Sequence, residues 1–84
     1  MERGPLLRVL NDMRGTDQEL DLLLAGRPEP LELRNVVAVE ELRSLNGLRV
    51  TTKQNYLFID ASHVSAAWQV RMDVGLEESP ESGA

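Results

Sequence analysis

Asp60, Ser62, His63 and Ser65 form the one cluster whose residue types and spacing suggest acid–base or nucleophilic chemistry. His63 is the single histidine of the 84 residues, and there is no cysteine. A serine nucleophile needs a base aimed at its hydroxyl and a carboxylate behind that base. Neighbours on one short turn seldom reach that geometry. Asp60 and Ser62 are expected to bond the backbone of the turn, with His63 beside them at the surface. No catalytic residue is expected, and the chain is read as a non-enzyme.

Two acidic pairs, Glu40-Glu41 and Glu77-Glu78, are the other candidates for chemistry. Adjacent carboxylates on a strand point to opposite faces, so the first pair would not converge on a cation. The second falls in a polar terminal stretch. Without cysteine there is no thiolate zinc or iron–sulfur site. Phosphate loops, EF-hand loops and zincin motifs have no counterpart here. No metal site and no cofactor are expected.

Arg49, Lys53, Tyr56 and Phe58 are the candidate binding residues. They depend on a hairpin. Residues 48–53 alternate in polarity, as do 56–60, and Gln54-Asn55 between them has the length of a two-residue turn. Such a turn would set Lys53 opposite Tyr56, Thr52 opposite Leu57, Thr51 opposite Phe58, Val50 opposite Ile59 and Arg49 opposite Asp60. Leu48, Val50, Thr52, Leu57 and Ile59 would then face the core. Tyr56 and Phe58 would share the other face with Arg49 and Lys53. Three coverings fit that face: the chain's own N-terminal helices, a protein partner, or stacked bases with their phosphates neutralised. Two basic residues and two aromatics make a small nucleic-acid site on an acidic chain.

The remaining segments must position this hairpin. Leu6, Val9, Leu10 and Met13 recur at helical spacing after Pro5, predicting a helix over 5–14 that Gly15 ends. Thr16-Asp17-Gln18-Glu19 has the form of a capping box. Leu20, Leu23 and Leu24 then favour a second helix over 17–25, because leucine is a helix former. The same segment also alternates as a strand would. Arg27-Pro28-Glu29-Pro30 reads as an extended connector. The segment 31–39 reads as a strand, on β-branched Val36, Val37 and Val39. The segment 38–45 fits either a helical stripe or a continuing strand. Val64, Ala66, Trp68, Val70 and Met72 alternate with polar or small residues, predicting a strand with Trp68 in the core. The charged stretch 77–84 reads as a disordered acidic tail.

One domain over 1–76 accounts for the rest, of α+β class. One or two short N-terminal helices would be followed by an antiparallel meander of three to five strands. If 17–25 is instead a strand, the order becomes a helix and five strands, with a short turn at 61–63 before the last. That order is similar to an Sm-like small barrel. The resemblance implies an RNA-binding ring former, although the glycine-centred motifs and basic loop of that family have no match here.

A chain of this length buries a thin core. Disulfides and a histidine-rich metal site are excluded by composition, so self-association, with a dimer favoured, is the expected extra source of stability. A protein partner is expected beside it. The net charge of −5 argues against general nucleic-acid affinity, and three of the acids, Glu77, Glu78 and Glu81, lie in the tail. No segment has the length or apolarity of a signal peptide or a membrane span, which predicts a cytoplasmic protein.

Overall fold

The computed structural model describes residues 1–71. It is an α+β domain: helix α1 (Arg3–Met13), then strands β1 (Glu19–Leu24), β2 (Leu31–Arg34), β3 (Val36–Glu41), β4 (Gly47–Thr52) and β5 (Tyr56–Asp60), a 3-10 turn (Ala61–His63), and β6 (Val64–Gln69). The strands form two antiparallel three-stranded sheets, ordered β2-β1-β6 and β3-β4-β5, with no closed barrel.

Helix α1 forms where the spacing places it. Leu6, Leu10 and Met13 lie on one stripe and are fully buried, with Leu7 and Val9 packed at its margins. Gly15, at φ +76°, follows the helix end in a conformation that favours glycine, and its amide donates to the Val36 carbonyl. Thr16 closes this helix instead of opening another: its Oγ1 donates to the Met13 carbonyl at 2.7 Å, and Gln18 N–H donates back to Thr16 Oγ1.

Residues 17–25 are therefore not a second helix. Glu19–Leu24 is the central strand of its sheet, paired on both sides. Leu20 and Leu22 face the core, while Glu19 and Asp21 are buried on the opposite side. Leucine's helix preference amounts to a few tenths of a kcal/mol per residue, less than two flanking strands supply.

The predicted strand over 31–39 is two strands, joined at Asn35, which has φ +61°. Asparagine tolerates this left-handed region better than most residues. There the chain leaves one sheet and enters the other. Residues 38–41 continue as strand, and 42–46 form the turn into β4 rather than a helical stripe. The Arg3 guanidinium holds that turn, its Nη1 donating to the carbonyls of Leu42 (3.3 Å), Ser44 (2.7 Å) and Gly47 (3.3 Å). Glu41 lies 3.7 Å from the same side chain.

One core joins the elements. Leu6, Leu10 and Met13 of α1 meet Leu20, Leu22, Leu33, Val36, Leu48, Val50, Ile59, Ala61 and Val64. Trp68 is not in it. The β1–β6 register shifts between Leu23 and Leu24, where Ser65 is the unpaired extra residue, and this breaks the alternation read from 64–72. Ala67 then lies opposite Leu22 and packs on the core, while Trp68 lies opposite Asp21 and is 43% exposed. Met72, the domain end at 76 and the tail at 77–84 lie outside the described residues. Among the described residues, no helix is long and apolar enough to cross a membrane.

Candidate functional site

The hairpin of β4 and β5 forms, with a register two residues away from the one a two-residue turn would give. Thr51 pairs with Tyr56, Val50 with Leu57, Arg49 with Phe58, Leu48 with Ile59 and Gly47 with Asp60. The cause is Thr52. Its Oγ1 accepts from the amides of Gln54 (3.2 Å) and Asn55 (2.9 Å), and its own amide donates to the Asn55 carbonyl at 2.8 Å. This local turn takes in Lys53 as well as Gln54 and Asn55.

A slip of two residues leaves every side chain on its original face, whereas a slip of one would have exchanged them. Leu48, Val50, Thr52 and Ile59 are buried, and Leu57 is half-buried. Tyr56 and Phe58 are 68% and 69% exposed, so α1 does not cover them. The helix packs on the other side, against β3, β4 and the 3-10 turn.

Arg49 is brought to the aromatics, but not to Asp60. Its guanidinium pairs with Glu40, directly across on β3, and its Cζ sits 5.7 Å from the centre of the Tyr56 ring. At that distance a guanidinium is attracted to an aromatic face. Lys53 is exposed on the turn, with its amide donating to the Asn35 carbonyl at 3.2 Å. Arg49, Tyr56 and Phe58 therefore form a ledge on the hairpin, and Lys53 stands at its end.

The unpaired strand edges differ in character. Among the described residues, β5 and β6 each pair on one side only. Tyr56–Ile59 and Val64–Gln69 contain no charged residue and no proline. β2 and β3 also pair on one side, but Glu32, Arg34, Glu40 and Glu41 lie along them. Charges of that kind protect an edge from pairing with another chain; Tyr56–Ile59 and Val64–Gln69 lack them, and β5 carries its one charge, Asp60, at its end.

The Asp60–His63 cluster folds as a turn clasp. Asp60 Oδ1 accepts from both the Ser62 amide (2.9 Å) and the Ser62 hydroxyl (2.6 Å). Those bonds hold the Asp60 carboxyl below the usual aspartate range, with the nearby His63 adding a smaller push in the same direction. The carboxylate thus serves Ser62 and does not orient the His63 ring. His63 is exposed and lines an open cleft of about 520 Å³ with Arg27, Leu31, Tyr56 and Asp60.

No family model, curated protein or solved structure matches this chain.

One group of side chains escapes the sequence reading. Glu19, Asp21 and Glu32 each offer a carboxylate oxygen, and the three oxygens lie within 4.8 Å of one another. Glu32 is directly opposite Asp21 on β2, and Arg34, opposite Glu19, binds that carboxylate. The Arg34 bond holds the Glu19 carboxyl low. Burial pushes Asp21 up, and the neighbouring Glu19 and Glu32 push it further. A helix over 17–25 separates Glu19 from Asp21, because residues two apart lie on different sides of a helix. A strand puts them together, so the alternation of Glu19 and Asp21 with Leu20 and Leu22 was the available signal.

Proposed function

We propose that the chain is a small non-catalytic interaction module that self-associates through the β5 edge and offers the Tyr56–Phe58 ledge to a protein partner. The observation that carries this reading is the β5 edge itself: unpaired among the described residues, free of charge from Tyr56 to Ile59, and bearing two aromatics more than two-thirds exposed. Aromatic side chains supply large contact area with little conformational freedom to lose, and they dominate binding energy at protein interfaces. The Glu40–Arg49–Tyr56 contacts hold the cationic end of the ledge in place before any partner arrives. Two copies joined β5 to β5 across a two-fold axis close as a dimer.

Sedimentation equilibrium in rising salt tests the self-association. The expected result is a dimer that persists in salt, because the contact is apolar and backbone-bonded, and a monomer for Phe58→Asp. A wild-type monomer at every concentration overturns it. A photoreactive residue at position 58 separates the two halves of the reading. Crosslinks to a second copy support self-association, crosslinks to another protein support the partner, and the absence of both overturns the ledge as a contact surface.

A second reading is an RNA-binding role of the Sm-like kind, using Arg49, Lys53, Tyr56 and Phe58. It is favoured by the strand at 19–24 and the 3-10 turn before β6, the order on which the resemblance rests when β2 and β3 are counted as one strand bent at Asn35. The net charge of −5 and the open sheets weigh against it. Retention of single-stranded RNA on a filter at low salt, lost in Lys53→Glu, would support it, and no retention ends it.

A further inference from the structure

The outer face of β1 gathers three carboxylates, of Glu19, Asp21 and Glu32, beside the Arg34 guanidinium. Glu19 and Asp21 are two residues apart on a strand and so share one side of the sheet. Glu32 stands directly opposite Asp21. Like charges opposed across a strand pair repel. Arg34, bound to Glu19, is the cation facing the three carboxylates from β2.

An independent observation concerns Asp21. The residue is 8% exposed, and its Oδ1 is fully buried with no hydrogen-bond donor among the described residues. Buried charge without a donor is costly, and buried carboxylates are paired or coordinate a metal. The donors here are all oxygens, which suit hard cations rather than zinc or copper. Oxygens about 2.3–2.6 Å from a calcium ion can lie up to about 5 Å apart, so three oxygens within 4.8 Å of one another fit a single coordination shell.

We propose that Glu19, Asp21 and Glu32 bind one calcium-class divalent cation, with the buried Asp21 Oδ1 as its innermost ligand. Arg34 keeps Glu19 Oε1, leaving Oε2 for the ion. Glu32 is exposed, so water completes the shell on that side. The cation supplies the partner that Asp21 Oδ1 lacks and turns the Asp21–Glu32 repulsion into a shared contact.

Terbium serves as the probe. Trp68 is the chain's single tryptophan, and it lies opposite Asp21 on the β6 side, where it can sensitise a lanthanide bound there. The expected result is terbium emission under tryptophan excitation, saturating at one ion per chain, displaced by calcium, and weakened at least tenfold in affinity by Asp21→Asn. Glu40→Gln, in the other sheet, leaves it unchanged. Calorimetry with calcium on Trp68→Phe separates loss of the antenna from loss of the site. No saturable emission in the wild type, or unchanged affinity in a folded Asp21→Asn, overturns the proposal. If Asp21→Asn does not fold, the exposed Glu32→Gln decides: weaker binding supports the site, and equal binding overturns it.

Discussion

Thr51 lies directly across from Tyr56 on the β4–β5 ladder, so the four residues Thr52 to Asn55 make the turn between them. The Thr52 hydroxyl holds that turn by accepting two amides from a buried position. Replacing it with the isosteric valine leaves both amides without their acceptor. Thr52→Val is expected to lower stability by about 1–2 kcal/mol, measured by urea unfolding, while Lys53→Ala stays within about 0.5 kcal/mol as a surface change.

Arg3 ties the start of the helix to the 42–47 turn through three carbonyls. Arg3→Ala is expected to cost about 1–2 kcal/mol, since hydrogen bonds from a charged donor exceed neutral ones. Amide exchange gives the sharper readout. The Leu42 amide, bonded to the Gly47 carbonyl at 3.0 Å, should exchange faster in the variant, while Val50 in mid-strand changes only by the global loss.

Asn35 passes the chain between the two sheets at positive φ. A β-branched residue is strained there, so Asn35→Val is expected to destabilise by about 1–3 kcal/mol. Asn35→Gly, which adopts this conformation without a Cβ penalty, should remain near wild type. Parallel denaturant titrations of the two variants check the pair.

Asp60 gives a pH prediction with a definite sign. Its folded carboxyl is held below the ordinary aspartate value by Ser62, so its contribution is complete above that value. The contribution is lost as pH falls from the ordinary value through the depressed one. Ser62→Ala should move the Asp60 titration midpoint upward, toward the ordinary range, in a carbon-detected carboxyl NMR titration. An unmoved midpoint would assign the depression to another group.

The parts legible in the residues were those in which a single face decides the outcome. The α1 stripe of Leu6, Leu10 and Met13 and the buried face of Leu48, Val50 and Ile59 follow from period alone. The exposure of Tyr56 and Phe58 depended on where α1 would pack, which local pattern does not encode. The strand at Glu19–Leu24 stayed hidden because Leu20, Leu23 and Leu24 also fit a helical stripe, while the pairing with β2 and β6 that decides for a strand is non-local. The hairpin register turned on one hydroxyl, and the outward turn of Trp68 on one unpaired residue, Ser65. The carboxylate group on β1 was missed with the strand that assembles it.

The aromatic ledge lies outside the packed interior. Tyr56 and Phe58 reach solvent from a strand whose opposite side is anchored by Ile59, and the core residues are a separate set. Surface and interior therefore draw on different letters of the same five-residue segment. A lineage could rewrite positions 56 and 58 to change what this face presents to solvent while the alternate positions, held by the interior, keep the scaffold as it was.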